Sequence, residues 1–487
     1  MLRLLLPRGG GRLPGPRGLP CLGCLFELFG AQRHAHIARW AEKYGPVFEV
    51  MVLGRRHVIV TDSALVDEIL GGSGALPKAS GVANSLSEML PGAGSSLLSS
   101  RHCDPQWRMA RKALSPTFSG EQAEASFEVS KLAAVVLAEE LAQVGRGTAI
   151  DAADWAHRYA LDVFGHAILG YDFQALSGGK DHLVIKMLRD AASEWSARRV
   201  NPLRSRLFWA VDPWGAGRNS YYVLLGFVST LVEQLRSQGA CEPEDESAWA
   251  QLSRLRDAHT AASVEDRVLV GELGGLLVAG VLPMGCALTT ILVLLAKAPA
   301  VQERLAAESS DPSLPADLTL LTREHMGQLS MARAVVNEAL RLCPSGVAGG
   351  AIAREVPRSG SFTLQGVNFP PGTAVWAATH AMHTRHDVWE RAGEFDPDRW
   401  LKADAAATTA APSACPLRTF APFGRGPRAC PAQGTATDAL VVAVHTLSRF
   451  FRFELAADEG ARVYSTASGL CMGPAAPCVP LLVCPRG

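Results

Sequence analysis

From Leu273 to Ala296 the chain reads LGGLLVAGVLPMGCALTTILVLLA, twenty-four residues without one charged side chain. A run this long and apolar has two physical homes. One is the hydrocarbon of a bilayer, which about 20 apolar residues span; the other is the middle of a large helical protein, where a helix is covered on all sides. The run holds four glycines and Pro283, and it follows Glu265, Asp266 and Arg267 rather than a basic anchor. Taken alone, it leaves the two homes even. The chain has enough apolar material for the second, with 48% hydrophobic residues in 487.

Charge and cysteine usage narrow the class. Lysine plus arginine and aspartate plus glutamate are 47 each, so the net charge is zero and nothing points to nucleic acid or a strongly acidic partner. Eleven cysteines, an odd number without a repeating spacing, fit a reducing compartment better than a disulfide framework. Cys21 and Cys24 form a lone CxxC with no second pair to complete a zinc site, and it reads as incidental. The start of the chain carries Arg3, Arg8, Arg12 and Arg17 with no acid before Glu27. It is too short and too broken by glycine and proline to span a bilayer. Residues 1–26 therefore read as a basic proline/glycine-rich leader without a transmembrane anchor, ahead of one catalytic unit at 27–487.

The period of the sequence is mixed. VFEVMVLG (47–54) and HVIVTD (57–62) read as a hairpin joined across Arg55 and Arg56, followed by a short amphipathic helix, SALVDEIL. From about Trp107 to Ala339 the period is mostly helical, with breaks at 239–248 and 309–318. Strand-like pieces return at 362–378 around a Gly-Pro turn, and 401–416, low in complexity, reads as a surface loop. Strands at both ends with helices between describe a mainly α chain with small β-sheets, of the α+β class.

FAPFGRGPRACPAQG (420–434) raises a chemical question. Gly424 and Gly426 permit tight turning and close approach, Pro427 and Pro431 stiffen the loop, and Arg425 and Arg428 supply cations. A thiolate that serves as a permanent metal ligand needs backbone N–H groups and positive charge around it. One thiolate on iron, with arginines for anionic substituents, describes an axial heme ligand. A buried structural cysteine beside a Gly-Pro turn is the bland alternative.

In this loop the chain resembles the heme-thiolate cytochromes P-450, whose motif F-G-x-G-x-R-x-C-x-G is matched by Phe423, Gly424, Gly426, Arg428 and Cys430. Ala432 stands where the last glycine is expected. Further matches lie upstream. Glu338 and Arg341 in NEALRLCP lie one helical turn apart, and Arg399 in FDPDRW matches the arginine that the family brings onto that pair. Trp107 and Arg111 in WRMAR, and Arg354 in AIARE, match residues that the family turns toward the heme propionates. LPGPRGLP, DVFGHAILGYDF (162–173) and VPLLVCPRG are also similar, so the resemblance covers nearly the whole chain. It implies a single-domain cytochrome P-450 fold with heme b buried between the cysteine loop and a long central helix. VQERLAAE (301–308) follows the apolar run as the next family helix does, which makes Leu273–Ala296 that central helix and not a membrane span.

The central helix also carries the main departure. The family's oxygen-activating groove, A/G-G-x-D/E-T-T, is met by Ala279, Gly280, Val281, Leu282, Pro283 and Met284. The small pair that leaves room for dioxygen survives, while the acid has become Leu282 and the alcohol Pro283. In the family the acid and alcohol organise the water that delivers protons for O–O cleavage. Pro283 also removes an N–H from the helix, which bends or breaks it at roughly 3 kcal/mol. A register slip that brings Thr289 or Thr290 to the groove is the alternative, and Cys286 is a further polar group able to hold water.

Three functions follow from the resemblance. A monooxygenase would hydroxylate an apolar small molecule with dioxygen and electrons from a flavin reductase or ferredoxin-type partner. A rearranging enzyme would accept a hydroperoxide or endoperoxide and need no reductase, as relatives without the acid–alcohol pair do. The third is a heme-binding protein with little catalysis. The family's predominance of monooxygenases puts the first ahead. The segment 82–100 is where the substrate is read. Location is expected to be intracellular, either membrane-associated at the endoplasmic reticulum with peripheral contact or organellar.

Overall fold

A computed structural model describes residues 13–486, except 72–74, 94, 101–103, 146, 181, 202–203, 205–214, 240, 256–264, 347–348, 365, 407–415, 457–469 and 475–477. The fold is mainly α with small sheets at its margins, as the sequence pattern implies. β1 (Val47–Val52) and β2 (Arg55–Val60) form the expected antiparallel hairpin. The turn, however, is made by Leu53 and Gly54 at φ 50° and 74°, and Arg55 and Arg56 already belong to β2. Two consecutive positive φ values match the strand twist, which the arginine pair could adopt only with strain. Residues 13–24 run beside β1: Glu49 N–H donates to Pro14 O, and Gly23 pairs with Val52.

β4 (Ile352–Glu355) and β7 (Ala374–Ala377) complete a four-stranded sheet in the order β1-β2-β7-β4, with β2 and β7 parallel. β3 (Ala149–Asp151), β8 (Phe451–Leu455) and β9 (Pro480–Pro485) form a second sheet, and β5 (Phe362–Leu364) pairs with β6 (Val367–Phe369). The stretch 362–378 thus holds short strands around turns, as its sequence reads. The segment 401–416 differs from its expected loop. Its first residues continue the helix Asp398–Ala406, because alanine and lysine after Trp400 suit a helix better than a turn; 407–415 lie outside the described residues.

The uncharged run lies inside one helix, Asp266–Ala296, which is buried over nearly all its length. By length and composition alone it could cross a membrane, yet here it is enclosed by protein. It lies along helix Ala152–Phe164, and the closeness has a cause: a Cβ on Gly280 would sit 2.3 Å from the Phe164 ring. The smallness of Gly280 thus serves helix packing, beside the room for dioxygen that the sequence reading assigns to it. Pro283 does not end the helix, which continues for thirteen residues beyond it to Ala296. The surrounding packing holds the helical path at this point.

Candidate heme site

The cysteine loop runs from Phe423 into helix Gln433–Phe450. Cys430 N–H donates to Phe423 O at 2.9 Å and Ala429 N–H to Gly426 O at 2.9 Å, closing two turns of the loop on themselves. Gly426, at φ 70°, is obligatory: a Cβ there would lie 1.9 Å from Leu70 O. Cys430 is partly buried. Burial pushes its pKa up, while the Ala432 N–H and the Arg111 charge pull it down.

Arg428 reaches back from the loop to donate to Leu97 O at 3.2 Å and to Ser100 O. Its guanidinium lies 4.6 Å from the ring centre of Trp107, which is buried on helix Pro105–Ala113 with Arg111 one turn further on. Asp104 caps that helix by accepting from Gln106 N–H at 3.0 Å, and Pro105 occupies its first position. Local sequence therefore sets the helix start and puts Trp107 and Arg111 on the side that meets the loop.

Arg354 is buried in β4 and donates to Ala353 O at 3.3 Å. Burial pulls its pKa down to about 10. Beside it lies Lys78, which the motifs do not reveal. Lys78 bridges to Arg354 through the backbone and donates to Leu98 O. Burial, then the charges of Arg428 and Arg354, holds the Lys78 ammonium well below its usual value. Lys78, Arg111, Arg354 and Arg428 come from four separate stretches of chain. Among the described residues, none of the first three has a carboxylate partner within 4.0 Å. The only available signal for Lys78 was a lysine amid apolar neighbours, in GALPKAS.

On the far side, Glu338, Arg341 and Arg399 meet in one cluster. Glu338 and Arg341 are fully buried on helix Ser330–Leu342 and joined by two hydrogen bonds of 2.9 Å. Glu338 also accepts from Arg399 Nε at 2.9 Å, Asp396 N–H at 3.0 Å and Trp400 Nε1–H at 3.0 Å. Arg341 donates in turn to the His383, Ala392 and Glu394 carbonyls. The network is nearly saturated, the condition under which buried charge is tolerated.

Along the middle of the central helix the partly accessible positions are Ala279, Gly280 and Pro283, while Leu282 is buried. Ala279 and Pro283 are one turn apart, on one face. Thr289 and Thr290 are buried and turn their hydroxyls onto their own helix, to Gly285 O at 2.6 Å and Cys286 O at 2.8 Å. Neither opens onto the accessible face. A second group that sequence reasoning missed lies two turns upstream. Glu272 is fully buried, accepts from Leu97 N–H at 2.7 Å and leaves Oε1 without a partner. Burial first, with Asp104 adding, pushes its carboxyl up to about 8. Its hydrogen bond fastens the 82–100 segment to the helix.

The chain matches the Cytochrome P450 family model over residues 13–477. It is 26% identical to cytochrome P450 3A9 of Rattus norvegicus over 478 residues, covering 91% of this chain and 85% of the rat protein. It is also 24% identical to a self-sufficient cytochrome P450 monooxygenase of Aspergillus terreus, over 86% of this chain and 38% of that protein. A bifunctional cytochrome P450/NADPH–P450 reductase of Bacillus cereus is 24% identical over 86% of this chain and 37% of its own length. The chain thus spans well under half of the last two relatives. A family match over nearly the whole chain, with a cysteine loop and helical architecture of this kind, makes the chain a member of the cytochrome P450 family, whose proteins bind heme b.

Proposed function

We propose that the chain is a monooxygenase that hydroxylates an apolar small molecule with dioxygen and electrons from a separate protein, its catalytic unit being residues 27–487. The observation that carries the heme assignment is the set of groups around Cys430. A single thiol, Cys430, faces Arg111, and Lys78, Arg354 and Arg428 gather nearby; among the described residues Lys78, Arg111 and Arg354 have no carboxylate within 4.0 Å. A group with two carboxylates and a thiolate-seeking iron fits this donor set, since buried cations need an anion. In this reading Cys430 holds the iron, and Lys78, Trp107, Arg111, Arg354 and Arg428 hold the carboxylates. Phe423 and Gly424 shape the loop. Glu338, Arg341 and Arg399 hold the chain behind it.

Heme b, when bound, supplies the redox chemistry with dioxygen or peroxide. The protein's part is to admit the substrate, exclude water and time the protons. Ala279 and Pro283 give the accessible face of the central helix a smooth apolar wall, which favours a lipid-like or aromatic substrate. Relatives named as monooxygenases and as fusions with NADPH–P450 reductase support an electron-supplied reaction. A second reading rests on one observation: Leu282 and Pro283 offer no proton, so a hydroperoxide- or endoperoxide-rearranging activity without a reductase is consistent with the same wall.

The experiment compares turnover of purified protein by NADPH and a reductase with turnover of a fatty-acid hydroperoxide. Reductase-dependent product supports the first reading, and rapid hydroperoxide loss without electrons supports the second. In parallel, Cys430→Ala should abolish the red-shifted Soret band of the reduced carbon monoxide complex. An unchanged band in that variant would overturn the ligand assignment.

A further inference from the structure

Trp195 and Arg199 have no place in the reading above. Both belong to helix Leu183–Val200, which packs against the central helix and against helix Leu25–Phe29. Four residues apart, they share one face of it. Arg199 Cζ lies 4.5 Å from the Trp195 ring centre and 4.7 Å from that of Phe29. Phe29 in turn meets Trp376 edge-on at 5.7 Å, which ties the guanidinium into an aromatic cluster.

Aromatic faces attract a cation but offer its N–H groups no acceptor oxygen. Arg199 is half-buried, yet its Nε is shielded from water and has no hydrogen-bond partner. The Nε1–H of Trp195, a residue only 3% exposed, is unpartnered as well. Among the described residues no carboxylate lies within 4.0 Å of Arg199. Glu194, the nearest acid in sequence, is already taken: it accepts from Arg198 Nε at 2.8 Å and from Arg204 Nη2 at 2.8 Å. The other indole of the cluster is satisfied, since Trp376 Nε1 donates to His57 Nδ1 at 3.0 Å. A buried donor without an acceptor is costly, and more so when it is charged. Burial, then the charge of Arg33, pulls the Arg199 pKa down to about 9, so the group is still a cation at neutral pH.

We propose that Arg199 and Trp195 form a carboxylate-binding subsite, which holds the acid group of a fatty-acid-like substrate. A carboxylate carries one negative charge on two oxygens, one for the guanidinium and one for the indole N–H. It supplies the charge and the acceptors that the protein leaves out. The rings of Phe29, Trp195 and Trp376 beside it are apolar, so the body of the ligand behind the acid is hydrocarbon. The inference rests on the hydroxylation of an apolar small molecule proposed above, and it narrows that molecule to an amphiphile with one acidic end.

The test reads binding rather than turnover, so its result stands whether or not reductase-dependent product is found. The heme-loaded full chain is titrated by calorimetry at neutral pH with octanoate, dodecanoate and hexadecanoate, and with the alcohol of each chain length. The parent should bind at least one acid about ten-fold or more tighter than the matching alcohol. Arg199→Met removes the charge but keeps a long side chain against the rings. It should erase the preference for acid and leave the alcohol bound as before, which also shows that the variant is folded. Trp195→Phe keeps an aromatic ring without the N–H and should weaken the acid alone, by about three- to ten-fold. A parent that does not prefer acid, or a preference that survives Arg199→Met, would overturn the proposal. Equal weakening of acid and alcohol in Arg199→Met, with a lowered melting temperature, would also overturn it, since Arg199 would then be only a bracket between helices.

Discussion

Replacing Glu272 with glutamine tests whether the central helix carries a protonated acid. Gln Oε1 can still accept the Leu97 N–H, so the hydrogen bond to the 82–100 segment is kept and only the ionisation is removed. The folded-state pKa is raised to about 8, against ~4.3 for an unperturbed glutamate. Below about pH 4.3 both folded and unfolded chains hold the proton, and the group contributes no pH dependence. Between that value and about 8 the unfolded chain releases the proton while the folded chain keeps it. Folded-state stability therefore falls as pH rises, at about 1.4 kcal/mol per unit, and levels off above 8. The full loss is about 3–5 kcal/mol, the lower figure allowing for solvent that reaches the carboxyl. With an unfolding entropy of ~2.1 cal/mol/K per residue, about 1 kcal/mol corresponds to ~1 °C in a chain of 487 residues. Glu272→Gln should thus melt about 3–5 °C above the parent at pH 8 and within ~1 °C of it at pH 5, at one scan rate. An offset of equal size at both pH values would refute a protonated Glu272.

Arg341→Ala removes one of two cations from fully buried Glu338, leaving Arg399, and should cost about 3–5 kcal/mol, read as lowered heme content and melting temperature; unchanged values would mark the Arg341 pairing as dispensable. Lys78→Met removes a partly buried amine that has no carboxylate within 4.0 Å among the described residues. The apo protein should become more stable, while the heme-loaded protein loses heme faster to an acceptor such as apomyoglobin; faster apo unfolding would contradict this. Leu282→Asp with Pro283→Thr restores a proton source, a contribution of about 10²–10⁴ to the step it serves. Product formed per NADPH should rise, and a fall would show that the parent already has another relay.

Much of the fold and some of the site were legible in the sequence because their signals are local. The 47–62 hairpin follows from alternation, and the central helix from an uncharged run of helical length. Phe423, Gly424, Gly426, Arg428 and Cys430 stand out because they fall in register with one short motif of the family they resemble, and the structure adds that Gly426 tolerates no Cβ against Leu70 O. Glu338 and Arg341 are likewise visible at i,i+3, although the same spacing on a surface helix would look identical. What makes them a buried network is the arrival of Asp396, Arg399 and Trp400 from a later segment.

The tertiary structure alone decided which charges lose their water. Lys78 reads as an ordinary surface lysine until β4 lays Arg354 beside it, and Glu272 as a helix-start acid until the 82–100 segment covers it. Gly280 reads as space for a ligand, and only the fold shows that its missing Cβ also admits the Phe164 ring. Pro283 reads as a break, yet the helix, buried on both sides of it in sequence, runs through it. The difference is physical: turn chemistry and periodicity act over a few residues and are written in order along the chain. Desolvation depends on what is packed against a group, and in this protein those neighbours come from distant parts of the sequence.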